Sequence, residues 1–150
     1  HSINESKITI SGVPDKPGIS ATIFGILSNS NINVDMIVQN ISQDGINANL
    51  TFTVKSDDMK YSNKLIESIH NKIKFNSIST DSNVAKISVI GMGMMSQSGV
   101  AEKMFKTLAK KKINILAIST SEIKISVLIN KKYTNTAVKL LHSVYNLGKN

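Results

Sequence analysis

Apolar and polar positions in the first half of the chain follow the spacing of a strand, then of a helix, then of strands again. Lys7–Ser11 alternates as a half-buried strand does, and Ile19, Ile23, Ile26 and Leu27 follow at helical spacing. The full order of predicted elements is βαββαβ, typical of a sheet with helices on one face. The later elements are the strands Ile32–Ile41 and Asn47–Val54, a helix that Asp57-Asp58 opens, and the short strand Ser77–Thr80.

The second half of the chain repeats this order. Lys7–Gly12 returns as Lys86–Gly91, and Gly18–Ile37 returns as Gly99–Ile118. Self-similarity of this length indicates two copies of one structural unit. We therefore predict an α+β protein of two ferredoxin-like domains, 1–82 and 83–150. The second copy's elements are the strand Ala85–Ile90, the helix Gly99–Lys110, the strands Ile113–Thr120 and Glu122–Asn130, and the helix Thr134–Tyr145.

The second copy lacks a candidate for its own fourth strand. After its last predicted helix, Gly148-Lys149-Asn150 is too short and too polar to form one. An open sheet edge invites pairing with another chain segment. We expect the missing strand to come from elsewhere, such as sequence upstream of His1.

Composition argues against two classes of partner. The net charge is +8, but all 18 basic residues are lysine, whereas arginine is favoured for bidentate contacts to bases and phosphates. Aromatic residues make up 5% and there is no Trp, so bases have few side chains on which to stack. No apolar run approaches the roughly 18 residues of a membrane span. We therefore expect no nucleic acid, no membrane and, since Cys is absent, a cytoplasmic protein.

Catalytic and metal-binding groups are sparse. His70 and His142 occupy equivalent positions in the two copies near apolar faces, where a structural role is expected. The ten carboxylates include no pair with metal-ligand spacing. Gly91–Gly99 is glycine-rich, but its third glycine is misplaced for a dinucleotide motif and no Lys-Ser/Thr pair follows. We predict neither a catalytic residue nor a metal site in this chain.

The loops that lead from a strand into a helix are the best candidates for binding. They span Asp15–Ser20 in the first copy and Gln97–Ala101 in the second. Free N–H groups and the helix dipole at such a helix start attract carboxylates. Asp15 is suited to accept from an ammonium group, and a polar side chain of the next strand, Gln39 or Asn114, completes a set that matches a free amino acid. In a simpler role, Asp15 and Ser20 only cap the helix.

These same segments resemble the ACT domains of bacterial aspartate kinases. Gly12–Gly18 and Asn31–Asn40 are similar to the family's first ACT domain. Gly91–Phe105 and Ile118–Leu128 are similar to its second. The resemblance covers essentially the whole chain, and the Val-Gln-Asn and Ser-Thr-Ser-Glu-Ile motifs are its most specific parts.

The resemblance implies a regulatory tandem that is not catalytic by itself. It implies binding of end-product amino acids, lysine and/or threonine, and feedback inhibition of a kinase domain that phosphorylates L-aspartate with ATP. That kinase domain, with its ATP and Mg²⁺, is absent from this sequence, so no cofactor is expected here. The implied partners are a second copy, in a homodimer through the ACT domains, and a kinase domain or catalytic subunit. In this family the second ACT copy borrows a strand from just before the first, which would account for the unfinished repeat.

The family's motifs also imply two effector pockets, each combining residues of both ACT copies. The first pocket is carried over to Asp15, Gly18, Ile19, Ser20 and Gln39, with Asn114 and Ile115. The second is carried over to Gly99, Val100, Ala101 and Glu102, with Asn40, Ser42 and Ser121.

Three departures from the family pattern bear on these pockets. Ser20 stands where many members have Ala, Gln97 where His is common, and Ala101 where some members have a hydroxyl residue. They motivate a second hypothesis, a dimerisation module of an amino-acid biosynthesis enzyme whose pockets bind no ligand. A third hypothesis is an ACT-like regulator of another amino-acid enzyme or of transcription. The Ser-Thr-Ser-Glu-Ile motif and the lack of a DNA-reading element argue against the third.

Overall fold

The chain divides into two compact units. The computed structural model describes residues 1–41, 45–91 and 96–145. One unit is Asn4–Ser82, and the other joins Asn83–Asn150 with His1–Ile3. The repeat places the first three residues in the first copy, whereas in the structure they pack with the second.

The first unit is a four-stranded sheet with two helices. The elements up to residue 90 are β1 (Ser2–Pro14), α1 (Ile19–Ser28), β2 (Asp35–Ile41), β3 (Asn47–Lys55), a 3₁₀ turn (Ser56–Asp58), α2 (Met59–Ser68) and β4 (Ser77–Ile90). The strands lie in the order β2-β3-β1-β4, and β3 pairs antiparallel with both β1 and β2. The order of elements is therefore the predicted βαββαβ.

The core of the first unit lies between the sheet and its helices. Alternate residues of β1 and β3 point to this face because side chains alternate along a strand. The Phe52 ring is fully buried and meets the Phe24 ring edge-on, with 5.3 Å between the ring centroids. The cluster around it includes Ile8, Ile10, Ile23, Leu27, Leu50, Val54 and Ile66.

The second unit repeats this architecture. It contains residues 83–90 of β4, followed by α3 (Gln97–Lys110), β5 (Ala117–Thr120), β6 (Lys124–Asn130), a 3₁₀ turn (Lys131–Tyr133) and α4 (Thr134–Tyr145). β6 pairs antiparallel with β4 and with β5. The other neighbour of β4 is β1, whose residues Ser2 and Ile3 belong to this unit. The start of the chain thus adds the strand that the repeat lacks, and the predicted fold of two ferredoxin-like units is confirmed.

The core of the second unit is largely aliphatic. Met104 and Leu108 of α3 are fully buried against Val127 and Ile129 of β6. Tyr145 of α4 is buried in the same cluster, and its hydroxyl donates to the carbonyl of Val100. Each unit therefore has a core of its own.

Several elements of the repeat begin away from their predicted positions, among them α3, β2 and β5. α3 begins at Gln97 rather than Gly99, because the Ser96 side chain caps it. β2 and β5 begin at Asp35 and Ala117, three and four residues later than predicted. Asn114 consequently lies ahead of β5 rather than within a strand.

Two further differences concern α2 and β4. Ile69 and Ile73 continue the helical spacing of α2, yet α2 ends at Ser68 and both residues are buried in the turns that follow. The predicted strands Ser77–Thr80 and Ala85–Ile90 are parts of one strand, β4. Periodicity alone detects burial and does not locate the ends of these elements.

The turns after α1 and α3 have the same construction. In each, the N–H of the next apolar residue, Ile32 or Ile113, donates back to a helix leucine carbonyl at 3.0 Å. This Schellman arrangement requires a left-handed residue just before it. That residue is Asn31 in the first unit (φ 61°) and Lys112 in the second (φ 58°). Asn tolerates this conformation better than Lys.

Replacing Lys112 with Asn is expected to raise the free energy of unfolding by several tenths to about 1 kcal/mol, since the left-handed backbone is costly for Lys. Urea unfolding monitored by circular dichroism measures the change. Lys111→Asn is the matched control, because Lys111 has an ordinary φ of −97°. Equal effects of the two substitutions would contradict the explanation.

The strand β2 is kinked near its start. Its pairing with β3 is irregular between Asp35 and Val38. Met36 between them has φ 49° and is buried, and its N–H donates to Asp35 Oδ1 at 2.8 Å. Regular pairing with β3 therefore extends only from Val38 to Ile41.

Candidate functional site

The start of α1 is open. Gly18, with φ 89°, precedes the helix, and among the described residues no side chain caps it. The N–H of Thr22 reaches the Gly18 carbonyl at 3.0 Å, so helical geometry leaves the N–H groups of Ser20 and Ala21 without an intrahelical acceptor. The capping role that the sequence left open for Asp15 is therefore not what the structure shows.

The local sequence explains why α1 begins where it does. Lys16 precedes Pro17, and a residue before proline disfavours the helical conformation. Gly18 adopts a left-handed backbone that glycine accepts without strain. Ile19, the first helical residue, is half-buried against the first core, which fixes the position of the helix start. The helix therefore cannot extend back over this loop.

The loop from β1 to α1 lies at the same end of the first sheet as the β2–β3 connection. The N–H of Asp15 donates to the Ile46 carbonyl at 2.9 Å. One residue earlier, Pro14 is opposite Asn47, the first residue of β3. Asp15 itself is exposed, so its carboxylate is accessible to a ligand.

The register of β2 places the side chains of Gln39 and Asn40 on opposite faces of the sheet. Gln39 is opposite Leu50, a core residue beneath the helices, so the Gln39 side chain projects on the helix-covered face. Asn40 is opposite Asn49 and projects on the other face. Both side chains are exposed. The structure therefore brings the loop Asp15–Ser20 and Gln39 to one end of the sheet, with α1 and Gln39 on one face.

The start of α3, unlike that of α1, carries a side-chain cap. Ser96 Oγ accepts from the N–H of Gly99 at 3.1 Å, and the Ser96 carbonyl accepts from the N–H of Val100 at 3.0 Å. The expectation that this loop presents free N–H groups is therefore wrong for Gly99 and Val100. The physical reason is that Ser98 stands where the first copy has Pro17, so the helix extends back to Gln97.

The turn between β5 and β6 is hydrogen-bonded to the first residue of α3. The Gln97 side-chain amide donates to the Ser121 carbonyl. The N–H of Ser121 donates to the Lys124 carbonyl at 2.8 Å, and the N–H of Gly91 donates to the Ile123 carbonyl. The capping role of Ser96 is not among the predictions above, although serine just before a helix is a recognised cap signal. No local signal reveals the contact between Gln97 and Ser121.

The remaining predicted site residues belong to several elements of the chain. Ala101 is half-buried, and Glu102 forms an exposed ion pair with Lys106 at 3.9 Å. Asn114 is exposed, whereas Ile115 is half-buried against the second core. Ser42 lies outside the described residues. Each predicted pocket draws on residues of both units, and these groupings stay predictions.

Two further features bear on function. The Nε2 atom of His70 lies 3.0 Å from the Phe75 carbonyl oxygen, and the His70 and Phe75 rings meet edge-on. These contacts are consistent with the structural role predicted for His70. Within the described ranges, no group of three or more His, Cys, Asp or Glu side chains is arranged to hold a metal ion. No helix in the same ranges is both long enough and apolar enough to cross a membrane.

An apolar cavity of about 410 Å³ lies in the second unit. Its walls are Ile87–Ile90 of β4, Gly91, one side of α4 and His1. Tyr145 lines it from α4, and burial raises the pKa of the Tyr145 hydroxyl above its ordinary value of 10.0. The walls offer few polar groups with which to orient a ligand.

The raised pKa of Tyr145 predicts a loss of stability in strong alkali. Above pH 10 the phenol ionises in the unfolded chain while the folded state keeps it neutral, so the free energy of unfolding falls as the pH rises through that range. Tyr145→Phe is expected to flatten this decline. Urea unfolding of both proteins between pH 8 and 11 measures the difference, and parallel curves would contradict the prediction.

Comparison with known proteins gives one consistent match. The ACT domain family model matches residues 8–73 and 87–145. An aspartokinase of Helicobacter pylori is 49% identical over 146 residues, which are 97% of this chain and 35% of that protein. This chain therefore spans about a third of the length of the curated relatives that it matches.

Solved structures agree with this match. A crystal structure of aspartokinase alpha and beta subunits matches with a TM-score of 0.87 and 44% identity, covering 96% of this chain and 94% of that one. The ligand-free regulatory subunit of aspartate kinase from Thermus thermophilus matches with a TM-score of 0.86 and 33% identity, covering 95% and 93%.

Proposed function

Because the chain belongs to the ACT-domain family, among the regulatory regions of aspartate kinases, we propose that it binds end-product amino acids, lysine and/or threonine. This binding feedback-inhibits the phosphorylation of L-aspartate by ATP, which takes place in the kinase domain or catalytic subunit that the regulatory region controls. ATP and Mg²⁺ are expected to bind that kinase domain and not these residues. In this proposal the protein works in the cytoplasm as a homodimer.

The open start of α1 is the observation that carries the proposal. The uncapped N–H groups of Ser20 and Ala21 suit the carboxylate of an amino acid. The exposed carboxylate of Asp15 suits its ammonium group, and Gln39 projects on the same face as α1. Asn114 and Ile115 join this pocket by family resemblance.

Inhibition requires more than binding. An effector shifts the kinase only by the difference between its affinities for two states of the regulatory region. Typical coupling of about 1–3 kcal/mol changes an affinity roughly 5- to 150-fold. We therefore expect the effector to favour one arrangement of the ACT dimer, which then disfavours catalysis.

Calorimetric titration of the purified chain with L-lysine, L-threonine and both together tests this proposal. Saturable heat with either amino acid is expected, and D-lysine is the control for non-specific ionic binding. Enhancement of one affinity by the other amino acid would indicate concerted inhibition. Sedimentation of the same sample tests the dimer.

A dimer that gives no heat with any amino acid would favour the alternative, a dimerisation module that binds no ligand. The side-chain cap on the Gly99 N–H favours this alternative for the second copy only. The two hypotheses therefore differ most sharply at α1.

A further inference from the structure

Charge is distributed unevenly between the two units. Residues 4–82 carry seven lysines and eight carboxylate side chains, so their charges nearly cancel. Residues 83–150 carry 11 lysines and only two carboxylate side chains, those of Glu102 and Glu122. The excess positive charge of the chain therefore belongs to the second unit. An asymmetry of this kind favours the binding of an anionic partner.

Five of these lysines lie at one end of the second unit. The Tyr145 hydroxyl, at the end of α4, donates to the Val100 carbonyl in the first turn of α3, and the two helices pack on each other. α3 and α4 therefore run in opposite directions, and the end of α3 is adjacent to the start of α4. The group of lysines at this position, which we call the lysine end, consists of Lys110, Lys111 and Lys112 at the end of α3 and Lys131 and Lys132 in the 3₁₀ turn before α4.

The two carboxylates of the second unit lie at its opposite end. Glu102 follows Val100 by two residues in α3, and Glu122 lies in the turn between β5 and β6, which is hydrogen-bonded to Gln97 at the start of α3. All five side chains of the lysine end are exposed, and no ion pair involves them among the described residues. The lysine end therefore presents five positive charges with no carboxylate of its own unit beside them.

The stability of α4 does not explain Lys131 and Lys132. The start of a helix is the positive end of its dipole, where carboxylates stabilise and ammonium groups destabilise. At the equivalent 3₁₀ turn of the first unit, before α2, the chain carries Asp57 and Asp58. The lysines at the end of α3 suit the dipole of that helix, but Lys131 and Lys132 have the unfavourable sign for α4. Their placement therefore indicates a role in binding.

We propose that the lysine end binds a segment of a protein partner that is rich in Asp and Glu. A lysine ammonium group is a point charge on a flexible stem and pairs with carboxylates in many orientations. The chain contains no arginine, and Tyr133 beside Lys132 is half-buried, so bases find little surface on which to stack. A carboxylate-rich segment therefore fits better than a nucleic acid. This proposal is independent of the effector proposed above.

Hydrogen bonds fix the turn that carries Lys131 and Lys132. The Lys132 N–H donates to Asn130 Oδ1 at 3.0 Å, and the Thr134 hydroxyl donates to the Lys131 carbonyl at 2.6 Å. The backbone of this turn is thereby ordered before a partner arrives, which reduces the entropy lost on binding. Attraction between opposite charges is expected to speed association and to weaken as ionic strength rises.

Fluorescence anisotropy of labelled poly-L-glutamate, titrated with the chain, tests the proposal. We expect saturable binding that weakens as salt is added. The double variant Lys111→Glu/Lys131→Glu is expected to weaken binding roughly tenfold, because each exposed ion pair contributes a factor of about 1.5 to 5 and the new carboxylates add repulsion. The matched control, Lys60→Glu/Lys64→Glu, makes the same change in net charge on exposed residues of α2 and is expected to change affinity by less than about twofold.

Three results of these titrations would overturn the proposal. The first is that poly-L-glutamate does not bind. The second is that the two double variants lose equal affinity, since binding would then follow net charge and not the lysine end. The third is that polyuridylate binds more tightly than poly-L-glutamate at the same ionic strength, which would indicate a nucleic-acid partner instead.

Urea unfolding of Lys131→Glu separates binding from stability. The substitution places a carboxylate at the start of α4, where the helix dipole favours it. The urea concentration at the midpoint of unfolding is therefore expected to stay the same or to rise, although binding of poly-L-glutamate weakens. A lower midpoint would show that Lys131 serves the fold and would contradict its role in binding.

Discussion

Replacing Asp15 with Ala is expected to weaken effector binding roughly tenfold to a hundredfold, because the bound ammonium group then lacks a charged partner. Calorimetry with the amino acid that binds the unsubstituted chain measures the change. Asp15 makes no side-chain cap of α1 among the described residues, so the substitution is not expected to unfold the helix.

Two further variants test whether the loss of affinity comes from the charge of Asp15 or from the removal of any exposed carboxylate. Asp15→Asn keeps the size of the side chain but removes its charge, and it is expected to weaken binding nearly as much as Asp15→Ala. Asp57→Ala removes an exposed carboxylate beyond the end of β3, at the opposite end of the first sheet from Asn47, and is expected to leave affinity unchanged. Equal affinities of Asp15→Ala and Asp57→Ala would remove Asp15 from the site.

Replacing Phe52 with Ala is expected to lower the free energy of unfolding of the first unit by about 3–5 kcal/mol. Phe52 is fully buried, and the substitution also removes its edge-on contact with Phe24. Urea unfolding measures the loss. Phe52→Leu, which refills most of the volume, is expected to recover a large part of it.

The equivalent position of the second core provides a comparison for the loss of stability caused by Phe52→Ala. Val127 occupies the equivalent position in the second unit. It lies four residues before the 3₁₀ turn of that unit, as Phe52 does in the first. Val127 makes no aromatic pair among the described residues, so Val127→Ala is expected to cost less. A loss below about 1 kcal/mol for Phe52→Ala would contradict the assignment of Phe52 to the centre of the core.

The sequence predicts the order of elements because apolar spacing reports burial directly. The helix Thr134–Tyr145 is predicted with the bounds that the structure gives it. Spacing fails at α2, where Ile69 and Ile73 are buried from turns instead of from a helix. It also fails at Met36, because nothing in the sequence requires a left-handed backbone there.

The candidate site is predictable only in its first copy. Pro17 and Gly18 fix the start of α1 locally, so the open N–H groups follow from the sequence. In the second copy the sequence predicts a helix start at Gly99, whereas Ser98, unlike Pro17, lets the helix begin at Gln97 with Ser96 as its cap. The contact between Gln97 and Ser121 joins residues far apart in sequence, and only the folded chain brings them together.

The kink in β2 has a consequence for aggregation. β2 lies at the edge of the first unit, where a strand presents unpaired N–H and C=O groups to other molecules. The buried, left-handed Met36 interrupts this edge and limits its regular part to Val38–Ile41. A misfolded or foreign chain therefore meets an edge too short and too bent for amyloid-like growth. We therefore expect the irregular backbone at Met36 to disfavour strand addition at this edge.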